Sequence, residues 1–233
     1  MNPLAVRYPG RFIILGKDEG AYVALYGATG RSVSSLARRF VRHEDGVYMV
    51  AVDDTVSKEA KPELFEYPAV KFFGNGIVVA NGRHIENISR LDERDARKQL
   101  SFALSEEAYE PDNEKTPRIT GVLLADKNGI EGALHIARFA ADGIDRSSWS
   151  TALEEGKGEF ISTYRGEDAR PTPSFPGDPL EVPLAFGSAK KAAHGIFDSF
   201  APPAGEPDYR VGVVAVYLAP GAAPDIAIVN RLN

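Results

Sequence analysis

The chain has 233 residues, of which 43% are hydrophobic, and a formal net charge of −6; we expect a single domain over residues 1–233 with a sizeable core. Cysteine is absent, which excludes disulfides, thiolate catalysis and cysteine-based zinc sites. No apolar run approaches the roughly 20 residues of a membrane helix, and the first residues lack a signal-peptide pattern, so we expect a cytoplasmic protein with no membrane partner.

The basic residues form no long run. Duplex nucleic acid is bound through many phosphate contacts, so the acidic total argues against a nucleic-acid partner. One small basic cluster stands out, made of Arg31, Arg38, Arg39 and Arg42. Two interpretations of it stay open: a local positive pocket for a small anion, or a solvated helix face.

Strand patterns occupy the first third of the chain. Apolar runs predict strands within 11–26 and over 47–52, 69–73 and 77–80. A turn over Gly16–Gly20 divides the first of these ranges into two strands. Gly74-Asn75-Gly76 separates the last two strands and predicts a hairpin, because Asn and Gly tolerate positive φ.

Helices enter the pattern later. Apolar residues at three- and four-residue steps predict a helix over 92–108. A second helix is predicted over 188–200, with Ser188 near its N-cap, after a Pro-rich loop over 170–184. Further strands are predicted over 118–125, 131–140, 159–164, 211–218 and 226–229. This order is not a strict βαβ alternation and predicts the α+β class, with antiparallel or mixed sheets.

Three familiar catalytic motifs are broken or missing. Residues 27–32 follow a strand and loosely resemble a phosphate loop, but the glycines are wrongly spaced and Arg31 stands where the motif needs Lys. The histidines at 43, 84, 135 and 194 have no ligand-pair spacing, so we expect no metal site. No Gly-x-Ser-x-Gly elbow supplies a serine nucleophile.

Four separated segments carry a family resemblance. They are residues 10–35, with Gly10-Arg11 and Gly30-Arg31-Ser32; residues 71–84, with Asn81-Gly82 and His84; residues 109–121, with Glu110 and Thr116-Pro117-Arg118; and residues 158–179. In this order they resemble the archaeal-type inosine monophosphate (IMP) cyclohydrolase family, the fourth segment its bacterial branch. From the first to the last they span residues 10–179, about three quarters of the chain.

The resemblance implies a four-layer α-β-β-α sandwich of the N-terminal-nucleophile hydrolase type. Enzymes of that fold use a Thr, Ser or Cys exposed at the mature N-terminus. This chain starts with Met1-Asn2 and has no Cys, so we expect the fold without its usual nucleophile. The resemblance also implies a homo-oligomer, either a dimer or a tetramer.

The implied activity is that of IMP cyclohydrolase, which forms IMP in purine biosynthesis without a metal or organic cofactor. Its partner is a small purine-precursor nucleotide, a formamido-imidazole-carboxamide ribonucleotide. The carboxamide nitrogen attacks the formyl carbon on the same ring and water leaves, so the substrate itself supplies proximity. The protein must accept a proton from a poor amide nucleophile and support charge on the oxygen.

The resemblance also implies roles for individual residues. Glu110 is the expected general base, Tyr67 is expected to hydrogen-bond or protonate the formyl oxygen, and Arg38 is the candidate for the family's catalytic guanidinium. Candidates for holding phosphate, ribose and base are Arg31, Ser32, Asn81, Thr116 and Arg118. Arginine suits phosphate because its guanidinium donates two parallel hydrogen bonds.

Plain structural interpretations compete with several of these roles. Glu110 could be a solvated acid at a helix end, and Tyr67 an amphipathic residue at a strand start. Asn81 before a glycine is typical of a turn. Arg118 could pair with a surface carboxylate.

One departure from the family pattern bears on activity. Members carry Ser-Arg-Asn-Arg where this chain has Ser35-Leu36-Ala37-Arg38, so Leu36 aligns with the catalytic arginine unless the loop shifts to bring in Arg38. Loss of one charge donor commonly lowers the rate about 10²–10³-fold. An alternative function is therefore a cyclohydrolase-like nucleotide-binding protein with weak or altered activity. A weaker third hypothesis is another amidohydrolase reaction, with Glu110 activating water.

Overall fold

A computed structural model describes residues 3–52, 66–90, 95–126 and 129–232, and strands dominate it. The strands are β1 (Arg11–Asp18), β2 (Ala21–Thr29), β3 (Arg38–Arg42), β4 (Gly46–Ala51), β5 (Tyr67–Phe73), β6 (Gly76–Ala80), β7 (Arg118–Asp126), β8 (Gly129–Ala140), β9 (Gly143–Thr151), β10 (Lys157–Ser162), β11 (Leu180–Pro183), β12 (Arg210–Leu218) and β13 (Asp225–Asn230). The helices are α1 (Val33–Leu36), α2 (Ala96–Ala103) and α3 (Ala189–Ser199), with 3₁₀ turns at Pro3–Ala5 and Arg83–Asn87.

The strands form two sheets. One has the order β11-β10-β1-β2-β12-β13, and the other runs from β3 to β9 in chain order. The pairings among these strands are antiparallel. The predicted α+β class is therefore confirmed, and of the antiparallel or mixed sheets that it allowed, these pairings are antiparallel.

The two sheets face each other across the main apolar core. Strand β1 contacts β7 and β8, and β2 contacts β6 and β7. Residues 12–15 of β1 are all buried, since a strand covered on both faces has no side left for polar residues. Helix α3 packs on β12 and β13 through Ala189, Ala192, Ala193 and Ile196, which recur at three- and four-residue steps.

A second apolar cluster lies on the other face of the β3–β9 sheet. In β7, Ile119 and Leu123 belong to the core between the sheets, whereas Val122 and Leu124 pack in the second cluster with Leu100 of α2. This alternation is the period of two expected for a strand. Helix α2 contacts β7, β8 and β9 and so covers that face.

Several local predictions are confirmed. The hairpin at Gly74-Asn75 joins β5 to β6. Ser188 is the N-cap of α3, where its side chain accepts a hydrogen bond from the Lys191 backbone N–H at 3.4 Å. Among the described residues, no helix has the length and apolar character needed to cross a membrane.

Other local predictions are wrong. The turn after β1 lies at Glu19 and Gly20, not over Gly16–Gly20, because Gly16 is inside the strand opposite Val23. The helix predicted over 92–108 is helical over Ala96–Ala103, and residues 92–94 lie outside the described residues. The end of the predicted Pro-rich loop forms β11. Arg38, Arg39 and Arg42 lie in β3, which contradicts the helix-face interpretation.

Candidate active site

A cavity of about 220 Å³ opens where the start of β1 meets the segment before β7. It brings charges of both signs into one small space. Its walls include three carboxylates and three guanidiniums, those of Glu110, Asp112, Glu114, Arg11, Arg31 and Arg170. Such a lining suits a polar ligand that carries both an anionic group and hydrogen-bonding groups.

Glu110 lies in the wall of this cavity and is only 5% exposed, which contradicts its interpretation as a solvated acid. Its backbone N–H donates to the Thr116 carbonyl at 2.8 Å. Burial raises the pKa of the Glu110 carboxyl to about 7, although the nearby Arg11 guanidinium acts to lower it. A carboxyl that titrates near neutral pH is suited to exchanging a proton with a ligand.

Asn81 fixes the orientation of this carboxyl. Its amide nitrogen donates to Glu110 Oε1 at 3.2 Å and to the Pro117 carbonyl at 2.9 Å, and its oxygen accepts from the Ile119 N–H at 2.7 Å. The side chain is fully buried. Asn81 therefore ties the end of β6 to the start of β7 directly behind Glu110, which contradicts its interpretation as a simple turn residue.

Two buried phenols lie on opposite sheets. Tyr67 begins β5 and Tyr26 lies in β2, and their hydroxyl oxygens are 2.9 Å apart. Burial and the neighbouring Tyr67 raise the pKa of Tyr26 well above its usual value, with Arg11 acting in the opposite direction. Tyr67 thus lies at a strand start, as the plain interpretation has it, and its hydroxyl is buried with a defined partner.

Two buried guanidiniums interact electrostatically with the phenols. Arg38 begins β3, is 0% exposed, and donates from Nε to the Ser35 carbonyl at 3.0 Å. Burial and the adjacent Arg11 lower the pKa of Arg38 to about 10. Burial alone would also lower the pKa of Arg11, but Tyr67 and Glu110 hold it well above its usual value. Both side chains are therefore cations at neutral pH. Both interact electrostatically with the Glu110 carboxyl and act to lower its pKa.

Arg31 forms another part of the cavity wall. One of its terminal nitrogens donates to Asp168 Oδ1 at 3.0 Å and to the Ala169 carbonyl at 3.1 Å, and the other donates to the Thr172 hydroxyl. The guanidinium also lies 4.3 Å from the centre of the Tyr8 ring. Arg31 therefore holds the 168–172 segment against the site.

Ser32 and Thr116 line the cavity beside Arg31. Ser32 is the N-cap of α1, and its side chain accepts from the Ser35 N–H at 3.1 Å. The Thr116 hydroxyl lies 2.5 Å from Asp112 Oδ2 and 2.6 Å from the Tyr164 hydroxyl. These hydroxyls are held in place by the protein before any ligand arrives.

Arg118 pairs with the half-buried Glu107 carboxylate, as the plain interpretation expected of an arginine at a strand start. It does not line the cavity, but its positive charge is one of those that act to lower the pKa of Glu110. Arg118 therefore acts on the site through its charge.

Apart from Arg118, the predicted site residues fall into two groups. Glu110, Arg31, Ser32 and Thr116 line the cavity, whereas Tyr67, Arg38 and Asn81 are buried beside it. Sequence reasoning missed Arg11, Tyr26 and Tyr164 as site residues. All three lie within segments that resemble the family, residues 10–35 and 158–179, but the resemblance gave them no role.

No metal site emerges in the part of the chain that the structure describes, where no three His, Asp or Glu side chains are grouped to hold an ion.

Comparison with known proteins gives a consistent match. A family model described as IMP cyclohydrolase-like protein matches residues 8–217. The chain is 32% identical over 196 residues to the IMP cyclohydrolase of Thermococcus kodakarensis, covering 83% of this chain and 86% of the relative. It is 30% identical over 158 residues to that of Methanocaldococcus jannaschii (67% and 73%), and 32% over 156 residues to that of Halobacterium salinarum (66% and 76%).

Proposed function

Since the chain belongs to the family of IMP cyclohydrolase-like proteins, we propose that it is an IMP cyclohydrolase and that its ring closure takes place beside Glu110. The substrate is a formamido-imidazole-carboxamide ribonucleotide, and the product is IMP. The single observation that carries this assignment is a buried carboxyl in a cavity wall, with a pKa of about 7 and a fixed orientation.

Glu110 is the general base of this proposal. An amide nitrogen is a poor nucleophile because its lone pair is delocalised, so attack on the formyl carbon needs a base for the N–H proton. Catalysis by such a base is most efficient when its pKa is near the working pH. Burial brings the Glu110 pKa to that range, and the bond from Asn81 aims the carboxyl.

The formyl oxygen needs a donor as it gains charge. Tyr67 supplies a hydroxyl whose neighbour, Tyr26, lies 2.9 Å away. If Tyr26 donates to Tyr67, the Tyr67 proton is free to point at the formyl oxygen. The buried Arg11 and Arg38 interact electrostatically with both phenols, and positive charge near the site stabilises an oxyanion.

Binding of the nucleotide is assigned to the cavity rim. Arg31, Ser32 and Thr116 line the cavity and offer a cation and two hydroxyls for the phosphate and ribose. Direct contacts from Tyr67, Asn81 and Arg118 stay predictions, since none of these three lines the cavity. In this proposal Asn81 and Arg118 act on the substrate through Glu110.

We further propose that the layers follow the α-β-β-α order of the N-terminal-nucleophile hydrolase fold. The support is that α3 packs on the first sheet, α2 packs on the second, and the sheets contact each other. The chemistry differs from that fold's usual reaction, because the groups at the site are a carboxyl and phenols on internal strands and loops.

The direct test is to supply the formamido ribonucleotide and follow IMP formation. We expect turnover by the native protein and by Glu106→Gln, an exposed glutamate four residues away. The Glu110→Gln variant should be slower by about 10²–10⁴-fold, the usual contribution of a general base. Equal background rates in all three proteins would contradict the enzyme assignment.

Leu36 is the observation that favours the alternative, a nucleotide-binding protein with weak or altered activity. It ends α1 and packs against the core between the sheets, so the segment offers no guanidinium at that position. Isothermal titration with IMP separates the two functions: a binder without turnover would bind IMP and form none of it from the ribonucleotide.

A further inference from the structure

The segment after Arg31 does not place a guanidinium in the cavity. Leu36 is apolar and packs against the core. Arg38 is fully buried behind Ser35, whose carbonyl accepts its Nε–H, and it is Ser35 that lines the cavity. A substrate in the cavity would meet Ser35 before it met Arg38.

Arg11 reaches the cavity from another strand. It is the first residue of β1, lines the same cavity as Glu110, and is 8% exposed. Its Nε is buried and makes no hydrogen bond to any residue that the structure describes. A buried charged donor without a partner is costly, and a bound ligand with an acceptor oxygen would satisfy it.

The backbone of Arg11 is held rigidly. Its N–H donates to Thr163 Oγ1 at 3.1 Å, and its carbonyl accepts from the Thr163 N–H at 2.8 Å. Gly10 before it has φ +74°, and a Cβ there would lie 2.2 Å from Thr163 Oγ1 and 2.5 Å from the Tyr164 ring. The approach that holds Arg11 in place is therefore possible only with glycine at position 10.

We infer that Arg11 is the catalytic guanidinium of this chain, which touches the formyl oxygen, and that Arg38 is a positioning residue behind it. The inference rests on the proposed function. It assigns the charge-supporting role to β1, and so explains how activity is compatible with Leu36. Donors fixed before the reaction stabilise developing charge best, because they need not reorganise.

Ring closure forms one C–N bond and releases one water. The carboxamide nitrogen forms a bond to the formyl carbon, and the electron pair of the formyl C=O moves to the oxygen that Arg11 faces. Glu110 takes one proton from the carboxamide nitrogen. The oxygen then leaves as water, with that proton and one from the formamido nitrogen, and a C=N bond forms in the new ring.

Chemical rescue tests the assignment. We expect kcat to fall by about 10²–10³-fold in Arg11→Ala, the usual effect of losing one such donor, with a smaller change in the dissociation constant for IMP. Millimolar guanidinium chloride should restore part of kcat in a saturable way, because the vacated space opens to the cavity. The Arg38→Ala variant should lose activity without rescue, since that position is closed to solvent.

Matched variants keep the test decisive. Arg97→Ala alters an exposed helical arginine and should leave kcat and its response to guanidinium unchanged. If circular dichroism shows that Arg11→Ala does not fold, Arg11→Gln replaces it, and a folded Arg11→Gln protein with native kcat would overturn the inference. Rescue in Arg38→Ala but not in Arg11→Ala would also overturn it, while the proposed function would stand. No IMP formation by the native protein would overturn both.

Discussion

Single residues at this site share a space that is nearly closed to bulk water. Glu110, Arg11, Arg38, Tyr26 and Tyr67 are all buried, so their charges and dipoles act on one another more strongly than they would in water. The opposing effects are visible in the pKa values: burial raises that of Glu110 to about 7 while Arg11 acts to lower it. The balance leaves a carboxyl that can both take and return a proton at neutral pH.

The phenol pair gives a prediction at this scale. Tyr26→Phe removes only the hydroxyl that lies 2.9 Å from Tyr67. We expect kcat to fall by about 10-fold or more with little change in KM, because the Tyr67 proton loses the partner that directs it. Steady-state kinetics measures both constants.

The control for this prediction is Tyr48→Phe, which removes a phenol hydroxyl bonded to Asp45 at 2.7 Å outside the cavity. Equal kcat in native protein and Tyr26→Phe would show that the pair is structural only.

The family resemblance assigned roles to Glu110 and Tyr67 by local alignment with the family's catalytic residues. It assigned none to Arg11, although Arg11 lies in a resembling segment, and one arginine at the start of an apolar strand has no local pattern that marks it as a site residue. The burial of Asn81 could not be predicted either, because Asn-Gly is a turn signal. The pairing of β6 with β7 is what brings the Asn81 amide within hydrogen-bond distance of Glu110. These contacts join residues far apart in the chain, which spacing alone cannot encode.

At the scale of elements, strands with a local signal were predictable and others were not. The β5–β6 hairpin has a glycine-rich turn between apolar runs. Strand β3 was not predicted because three of its five residues are arginines, which interrupt the apolar pattern of a strand. Strand β9 was not predicted because it is a largely polar strand at the edge of its sheet. Their positions are fixed by pairing with β4 and β8, a tertiary effect that overrides local preference.

The start of β1 gives a matched pair of glycine variants. Gly10 and Gly20 both have positive φ, +74° and +80°, but a Cβ would clash with Thr163 and Tyr164 at Gly10 and meet nothing within 4 Å at Gly20. We expect Gly10→Ala to lower the free energy of unfolding by about 1–3 kcal/mol more than Gly20→Ala does, the usual cost of overpacking. Urea denaturation measures the difference.

The same pair also tests the site. Because Arg11 follows Gly10 directly, kcat should fall in Gly10→Ala and stay native in Gly20→Ala. Equal effects of the two substitutions on stability and kcat would contradict the close approach described for Gly10.

Two buried imidazoles beneath α2 give a pH prediction. Burial lowers the pKa of His84 to about 3 and that of His135 to about 4, so both are neutral in the fold. The unfolded chain binds protons there below about pH 6.5. The stability from these groups is therefore fully present above about pH 6.5 and is lost progressively as the pH falls from there toward the folded pKa values of about 4 and about 3.

The comparison is between native protein and the His84→Gln/His135→Gln double variant, by urea denaturation at about pH 7 and about pH 5. The native protein should lose more stability over this interval, by on the order of 2 kcal/mol for each imidazole. Glu110 acts with the opposite sign, because its pKa is raised, but it is present in both proteins and cancels. Identical losses would show that the histidines titrate normally in the fold.

At the scale of the whole molecule, the site lies between the two sheets. The β1–β2 side contributes Arg11 and Tyr26, and the other sheet contributes Arg38 and Tyr67. Packing of one apolar sheet face on the other thus also brings these four candidate site residues together. The α+β class was predictable from element order, whereas the meeting of these four residues depended on how the sheets face each other.

The dimer or tetramer implied by the family resemblance stays a prediction at this scale. Light scattering of the full chain should give two or four times the mass of one chain. A mass of one chain across a hundredfold range of concentration would contradict it.

The central claim is that Glu110 is the base for ring closure, and the pH dependence of kcat/KM tests it most directly. The free protein's base must be ionised, and burial sets the pKa of Glu110 to about 7, so kcat/KM should rise with pH and level off above that value. In Glu110→Gln the residual rate should lose this rise. A native profile that is flat through neutral pH, or a Glu110→Gln variant that keeps both the rate and the rise, would contradict the account.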